Sequence, residues 1–155
     1  MRGDRSHSLL RVPDGWSVEH EPRSGIVATM TPRKAPDSGL APAITLTRSS
    51  TGLGVREHLD QLRSLVEHTF DKVDIEDADV YDYHDVDVAY LRFFHRTPRH
   101  DVIVEIWNWL VDGQVWSMAA SADHRDHPDY TDVFDDVAAT FDPTVREVRR
   151  LARPA

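Results

Sequence analysis

Apolar positions along this 155-residue chain fall into two periods, two and about three and a half. The plainest stretch is 101–122, DVIVEIWNWLVDGQVWSMAASA, where two apolar runs flank Asp112-Gly113. An Asp-Gly pair favours positive φ and closes a type I′ turn, so the stretch predicts one long β-hairpin. Pairing Val111 with Gln114 sets Trp109 opposite Trp116 and Trp107 opposite Met118. Three of the chain's four tryptophans then share one sheet face. Ile106, Leu110, Val115 and Ala119 share the other. A half-solvated sheet alternates apolar with polar residues, whereas both faces of this hairpin are apolar, so both are expected to be covered.

Further strands are predicted at 16–20, 26–30, 43–48, 73–81 and 86–95. Turn-forming stretches separate several of them: VPDG at 12–15, PRSG at 22–25 and the proline-rich loop 31–42. In 43–48, Ile44 and Leu46 alternate with threonines, which predicts one polar face. Apolar residues at 55, 59, 62, 65, 66 and 70 repeat at helical spacing and predict a helix over 55–70, with Ser50 or Thr51 as its cap. Tyr130, Val133, Phe134, Val137, Ala138 and Phe141 predict a second helix over about 129–140, opened near Pro128 and stopped by Phe141-Asp142-Pro143. The order β-β-β-α-β-β-β-β-α with short turns makes the sheet mostly antiparallel. The expected fold is therefore α+β: an antiparallel sheet of six to seven strands flanked by helices, one on each face, an α/β/α sandwich. Residues 1–10 read as a flexible N-terminus, 11–143 as a single domain and 144–155 as a basic C-terminal tail.

Pro13-x-Gly15-Trp16 leading into a first hairpin, a mid-chain helix, a hairpin with Trp107 and Trp116 around Asp112-Gly113, and a helix ending Phe141-Asp142-Pro143 together resemble the PsbP-like superfamily. Within it the chain is most similar to the LpqN-like proteins of actinobacteria, over residues 12–143. The resemblance implies an antiparallel sheet flanked by helices. It also implies a non-catalytic role, because the better understood members are mostly binding proteins: a photosystem subunit, a nuclear-transport factor that binds a small GTPase, and chaperones of secreted toxins. It brings no catalytic residues with it.

Composition narrows the partners. The formal net charge is −9, which opposes binding to nucleic acid or to an anionic membrane surface. The tail carries four arginines and one glutamate, about +3, which leaves about −12 on residues 1–143. There is no cysteine, so disulfides, thiolate metal sites, cysteine nucleophiles and lipobox acylation are excluded. No apolar run is long enough for a signal peptide core or a membrane span, so the expected location is the cytoplasm. Arginine and aspartate greatly outnumber lysine and asparagine, which points to a GC-rich bacterial genome.

Several clusters invite a chemical reading. His124 and His127, among Asp123, Asp126 and Asp129, offer a weak metal-ligand spacing, but a zinc site wants three or four ligands with fixed second partners. A solvated loop whose aspartates favour a helix N-terminus accounts for them better. The eight carboxylates of 71–87 lack the calcium-loop pattern and read as a charged strand edge that discourages aggregation. Gly52-Leu53-Gly54 resembles a phosphate loop, but the dinucleotide fingerprint needs glycine at 57, where Glu57 stands. No Gly-x-Ser-x-Gly elbow is present. His58 and His68 are placed on the outer surface of the first helix. Trp107, Trp109, Trp116 and Met118 are core by their density, with the floor of a partner-binding groove as their functional reading.

The expectation is a non-enzymatic protein-binding or adaptor module, chaperone-like, with no cofactor, no metal and no catalytic residue. Its partner is another protein or a second copy of the chain. The alternative is a small-molecule binder or hydrolase with a sheet–helix cavity near the 123–129 loop.

Overall fold

Asp112 and Gly113 adopt φ of 51° and 75°, the left-handed values a type I′ turn requires. The hairpin they close is the middle of the molecule. The computed structural model describes residues 10–20 and 26–143. In chain order the elements are β1 (Trp16–Glu19), β2 (Ile26–Pro32), β3 (Ala43–Ser50), α1 (Val55–Thr69), β4 (Asp74–Tyr83), β5 (Val86–Arg96), β6 (Asp101–Val111), β7 (Gln114–Asp123) and α2 (His127–Ala139). The seven strands form one sheet in the order β1-β2-β3-β7-β6-β5-β4, and every neighbouring pair is antiparallel. Val111 pairs with Gln114, Trp109 with Trp116 and Trp107 with Met118, the register the turn residues predict.

Local chemistry adjusts the predicted boundaries. A second type I′ turn joins β4 to β5 through His84 and Asp85, at φ 53° and 66°. A His-Asp pair lacks the Asn-Gly signature of such turns, so the sequence does not announce that β4 runs on to Tyr83. α2 begins at His127, two residues early, because Pro128 suits a first helical turn. Neither Ser50 nor Thr51 caps α1. Gly54 takes the N-cap position, and the Glu57 carboxylate accepts its N–H at 3.4 Å. Thr51 turns its hydroxyl to the N–H of Leu53 instead.

One helix lies on each face. On the α2 side, Phe134, Val137, Ala138 and Phe141 bury against Trp107, Trp109, Trp116 and Met118 of the hairpin and against Met30, Ile44 and Leu46. Phe141 stacks on Trp109 with centroids 4.2 Å apart. Leu10, expected in the flexible end, belongs to this core. The rest of that end, the 22–25 turn and the 144–155 tail lie outside the described residues. On the other side, Leu59 and Val66 of α1 pack on Ala89, Leu91 and Phe93 of β5 and Val102 and Val104 of β6.

The sandwich is asymmetric. α1 rests on β5 and β4, and its core takes no residue from β1, β2, β3 or β7. The expected sandwich, with a helix on each face, is present, and on the α1 face the helix sits towards the β4 edge. A helix is about 10 Å wide and strands are about 4.8 Å apart, so one helix covers two or three strands of seven. Leu65 also leaves the predicted apolar stripe and is 61% exposed.

Trp109→Ala or Trp116→Ala is expected to destabilise the fold by about 3–5 kcal/mol, measured by urea titration. A loss below about 1 kcal/mol for both would remove them from the core.

Candidate functional site

The four residues proposed from sequence as a partner-binding floor, Trp107, Trp109, Trp116 and Met118, are at most 5% exposed. α2 and Phe141 roof them. They form core. At the margin of this core the Arg48 guanidinium sits 5.2 Å from the Trp116 ring centroid, a cation–π contact.

The polar side chains of 123–129 are committed to the fold. The Asp123 carboxylate is buried and accepts hydrogen bonds from the Arg125 backbone N–H at 2.8 Å and its guanidinium at 3.0 and 3.1 Å. His100 Nδ1 lies 2.7 Å from it. Arg125 foremost, with His100, holds this carboxyl well below the usual range. The contact with His100 ties the end of β7 to the β5–β6 turn. The Ser38 hydroxyl donates to Asp126, which pins the loop between β2 and β3. His127 Nε2 meets Glu105 Oε2 at 2.9 Å, and the Tyr90 hydroxyl donates to the other Glu105 oxygen at 2.6 Å. Burial foremost, then this bond to Glu105, pushes the Tyr90 hydroxyl pKa up. This buried chain fastens the first turn of α2 to β6 and β5. His124 points elsewhere, edge-on to Phe94 at 6.1 Å. The two histidines do not converge, and among the described residues no group of three or more His, Cys, Asp or Glu is gathered as a metal cage.

A cavity lies at the opposite end of α2 from the 123–129 loop. It measures about 280 Å³ and is lined by Tyr83, His84, Val86, Trp109, Thr140 and Phe141 among others. Tyr83 donates its hydroxyl to the Ala139 carbonyl and Thr140 donates to the Val137 carbonyl. His84, in the same lining, packs against the Tyr83 ring with centroids 4.3 Å apart.

The acidic stretch 71–87 lies on β4, the outermost strand, and the turn after it. Asp74, Glu76, Asp77, Asp79 and Asp82 are all exposed. Charge on an open edge opposes pairing with another chain. The Gly52–Gly54 linker holds no anion cradle, since Glu57 places its own carboxylate at the N-terminus of α1.

What remains is the uncovered half of the sheet. On the α1 side of β2, β3 and β7 stand Thr29, Thr31, Thr45, Thr47, Ser117, Ala119 and Ser121, all half-buried, together with the half-buried Ile26 and the buried Val115 and Asp123. The opposite face of the same strands carries Met30, Ile44, Leu46 and Met118 at no more than 2% exposure. The polar face predicted for 43–48 is thus part of a wider shelf. Its inner wall is α1, and at the foot of that wall His58 Nε2 meets Asn108 Nδ2 at 3.0 Å. His58 therefore faces the sheet, contrary to its predicted outer position. The signal was available: it lies three residues after Val55 and four before Leu62, on the apolar stripe. Asn108 was missed as well, although it interrupts a run that is apolar on both faces. Across the sheet Asn108 neighbours Ser117, which neighbours Thr47. Burial lowers the His58 pKa.

No family model matches the chain, and no curated protein matches it. Solved structures do. The chain is similar to LpqN, involved in cell envelope biogenesis of Mycobacterium tuberculosis, at TM-score 0.68 and 13% identity over 83% of this chain and 78% of that one. It is similar to PA94 of Pseudomonas aeruginosa, a protein of unknown function described as a candidate regulator, at 0.66 and 11% over 93% and 90%. Cyanobacterial PsbP from Synechocystis sp. PCC 6803 follows at 0.58 and 12% over 84% and 82%. At these identities the likeness is one of fold.

The Asp123 pairing generates a pH prediction. Its folded pKa lies below the unfolded value of about 3.9, so the unfolded chain binds the extra proton between the two. The contribution is complete above about pH 5 and is lost as pH falls towards the folded pKa. Asp123→Asn is expected to be less stable at pH 7 and to lose less stability than the parent between pH 5 and 3. Parallel melting-temperature curves across that range would contradict it.

Proposed function

We propose that this chain, which has the PsbP-like, LpqN-like fold, is a non-enzymatic binding module that holds another protein against the uncovered half of its sheet. The observation that carries this reading is the asymmetry of the sandwich: four adjacent strands present a face with no helix over it. The side chains that would have supplied chemistry, Asp123, Asp126, His127 and Glu105, are consumed in locks between elements. The shelf itself is lined by small hydroxyl and methyl groups. In a chain of net charge −9, this surface, with exposed Glu19 at its β1 margin, is less repulsive to a second polypeptide than the acidic β4 edge. No helix among the described residues is long and apolar enough to cross a membrane.

The cavity beside Trp109 and Phe141 favours a second reading, a small-molecule binder, because Tyr83, Trp109 and Phe141 offer it aromatic surface and its volume is near the lower bound for ligand sites.

Placing a photo-crosslinking amino acid at Thr45 or Thr29 in living cells tests the first reading. A discrete adduct is expected from both positions and none from Leu65 on the outer surface of α1. An adduct at twice the chain's mass identifies a second copy as the partner. Equal labelling from all three sites, or none from the shelf, would refute it.

A further inference from the structure

β4 ends the sheet, and among the described residues no strand pairs with its outer edge. After the bulge between Ile75 and Asp77 it runs in regular register against β5. The Val80 N–H points away from β5, since the Asp79 carboxylate accepts it at 2.8 Å. Backbone groups alternate in direction along a strand, so Ala78, Val80 and Asp82 all turn their N–H and C=O outward. Side chains divide by face. Ala78 and Val80 pack on the α1 core, and Asp82 continues their row. Asp77, Asp79 and Tyr81 stand on the α2 face, where Tyr81 is 37% exposed. Five of the ten residues of β4 are acidic, and Arg92, in an ion pair with Glu76, is the one base paired with any of them among the described residues. Exposed Asp82 even stands directly across from exposed Asp87, and like charges so placed destabilise a sheet. Asp135 of α2 extends the field: after burial, its charge is the largest influence raising the Tyr81 hydroxyl pKa. A few charges suffice to keep an edge from pairing with its own copy. These carboxylates do not gather around a point as a metal cage would. They follow the strand, with Asp77 and Asp79 about 7 Å apart on one face.

We propose that the β4 edge is a docking site for a basic, extended segment of another protein, which adds to the sheet as a further antiparallel strand. The outward N–H and C=O groups of Ala78, Val80 and Asp82 pair with its backbone. Lys or Arg side chains two residues apart lie beside Asp77 and Asp79, where the pairs are not hydrogen-bonded and side chains approach closest. A third base reaches the exposed ring of Tyr81. The residues between the bases are apolar, because they stand beside Ala78 and Val80. As the strand arrives, the Asp79 carboxylate passes from the Val80 N–H to the incoming base, and a partner carbonyl takes that N–H. One set of charges thus performs two tasks: it repels the β4 edge of a second copy and attracts a strand of opposite sign. A line of charges at strand period fits an extended polycation better than a small ion. The edge lies at the opposite end of the sheet from the threonine-lined shelf, and the proposal does not rest on the reading given for that shelf.

The test uses the whole chain, isotope-labelled, at low ionic strength, with four blocked hexapeptides: alternating Lys-Val, the same residues in two blocks, alternating Lys-Val N-methylated at its valines, and alternating Glu-Val. Saturable shifts of the Ala78, Val80 and Asp82 amides, with slowed hydrogen exchange at Val80, are expected with the first. The block and N-methylated peptides are expected to bind about tenfold more weakly or worse, and the Glu-Val peptide not at all. Asp77→Asn with Asp79→Asn should weaken the Lys-Val peptide by about tenfold while melting no lower than the parent, since it relieves repulsion on an exposed strand. Equal affinity for the alternating and block peptides would reduce the effect to attraction between net charges and overturn the proposal. So would binding that survives N-methylation, or no saturable shift at these amides. Movement of the same amides on deleting residues 144–155 from the free chain would give the edge to the chain's own arginines and also overturn it. The peptide comparison needs only the parent chain, so it stands whatever the double variant does.

Discussion

The register of β6 against β7 is the constraint on which the remaining structure depends. Side chains alternate strictly along a strand, so a slip of one residue would exchange the two faces of half the sheet. In the native register Trp107, Trp109, Trp116 and Met118 all point to α2. Val102 and Val104 point to α1. Glu105 meets His127 on the first face and Asn108 meets His58 on the second. A slipped hairpin would set the indoles on the smaller face and strand Glu105 away from its histidine. The two-residue turn at Asp112-Gly113 prevents this because its left-handed backbone admits no extra residue.

Around that hairpin, polar side chains act as fasteners. Asp123 with His100 and Arg125, Asp126 with Ser38, and Glu105 with His127 and Tyr90 join four separate segments at one end of α2. Each is a buried or half-buried acid met by a donor, the condition under which a charge is tolerated inside a protein. The His58–Asn108 pair differs, since it joins two uncharged groups, one half-buried and one buried, without an acid.

The open shelf follows from arithmetic as much as from sequence. Seven strands span about 29 Å between the outermost axes, and one helix shields about 10 Å. On the α2 face the deficit is met by large side chains, with Trp16, Met30 and Leu46 extending the core over β1 to β3. On the α1 face the same strands carry mostly threonine, serine and alanine, with Ile26 and the exposed Glu19, a set that builds no second core there.

Much of this was legible locally. The period-two and helical stripes placed every described element, the Asp112-Gly113 turn set the central register, and the carboxylates of 71–87 marked an outer strand. These signals act over a few residues, through backbone geometry and the direction of side chains. What the chain alone did not disclose depends on the order of strands in the sheet. Whether His58 meets solvent or Asn108, whether Asp123 and His127 are free for chemistry or spent on His100 and Glu105, and which strands α1 leaves bare are set by contacts between segments 22 to 50 residues apart and more. Only the folded sheet brings those segments together, because a strand's neighbours, unlike its period, are not encoded in its own residues.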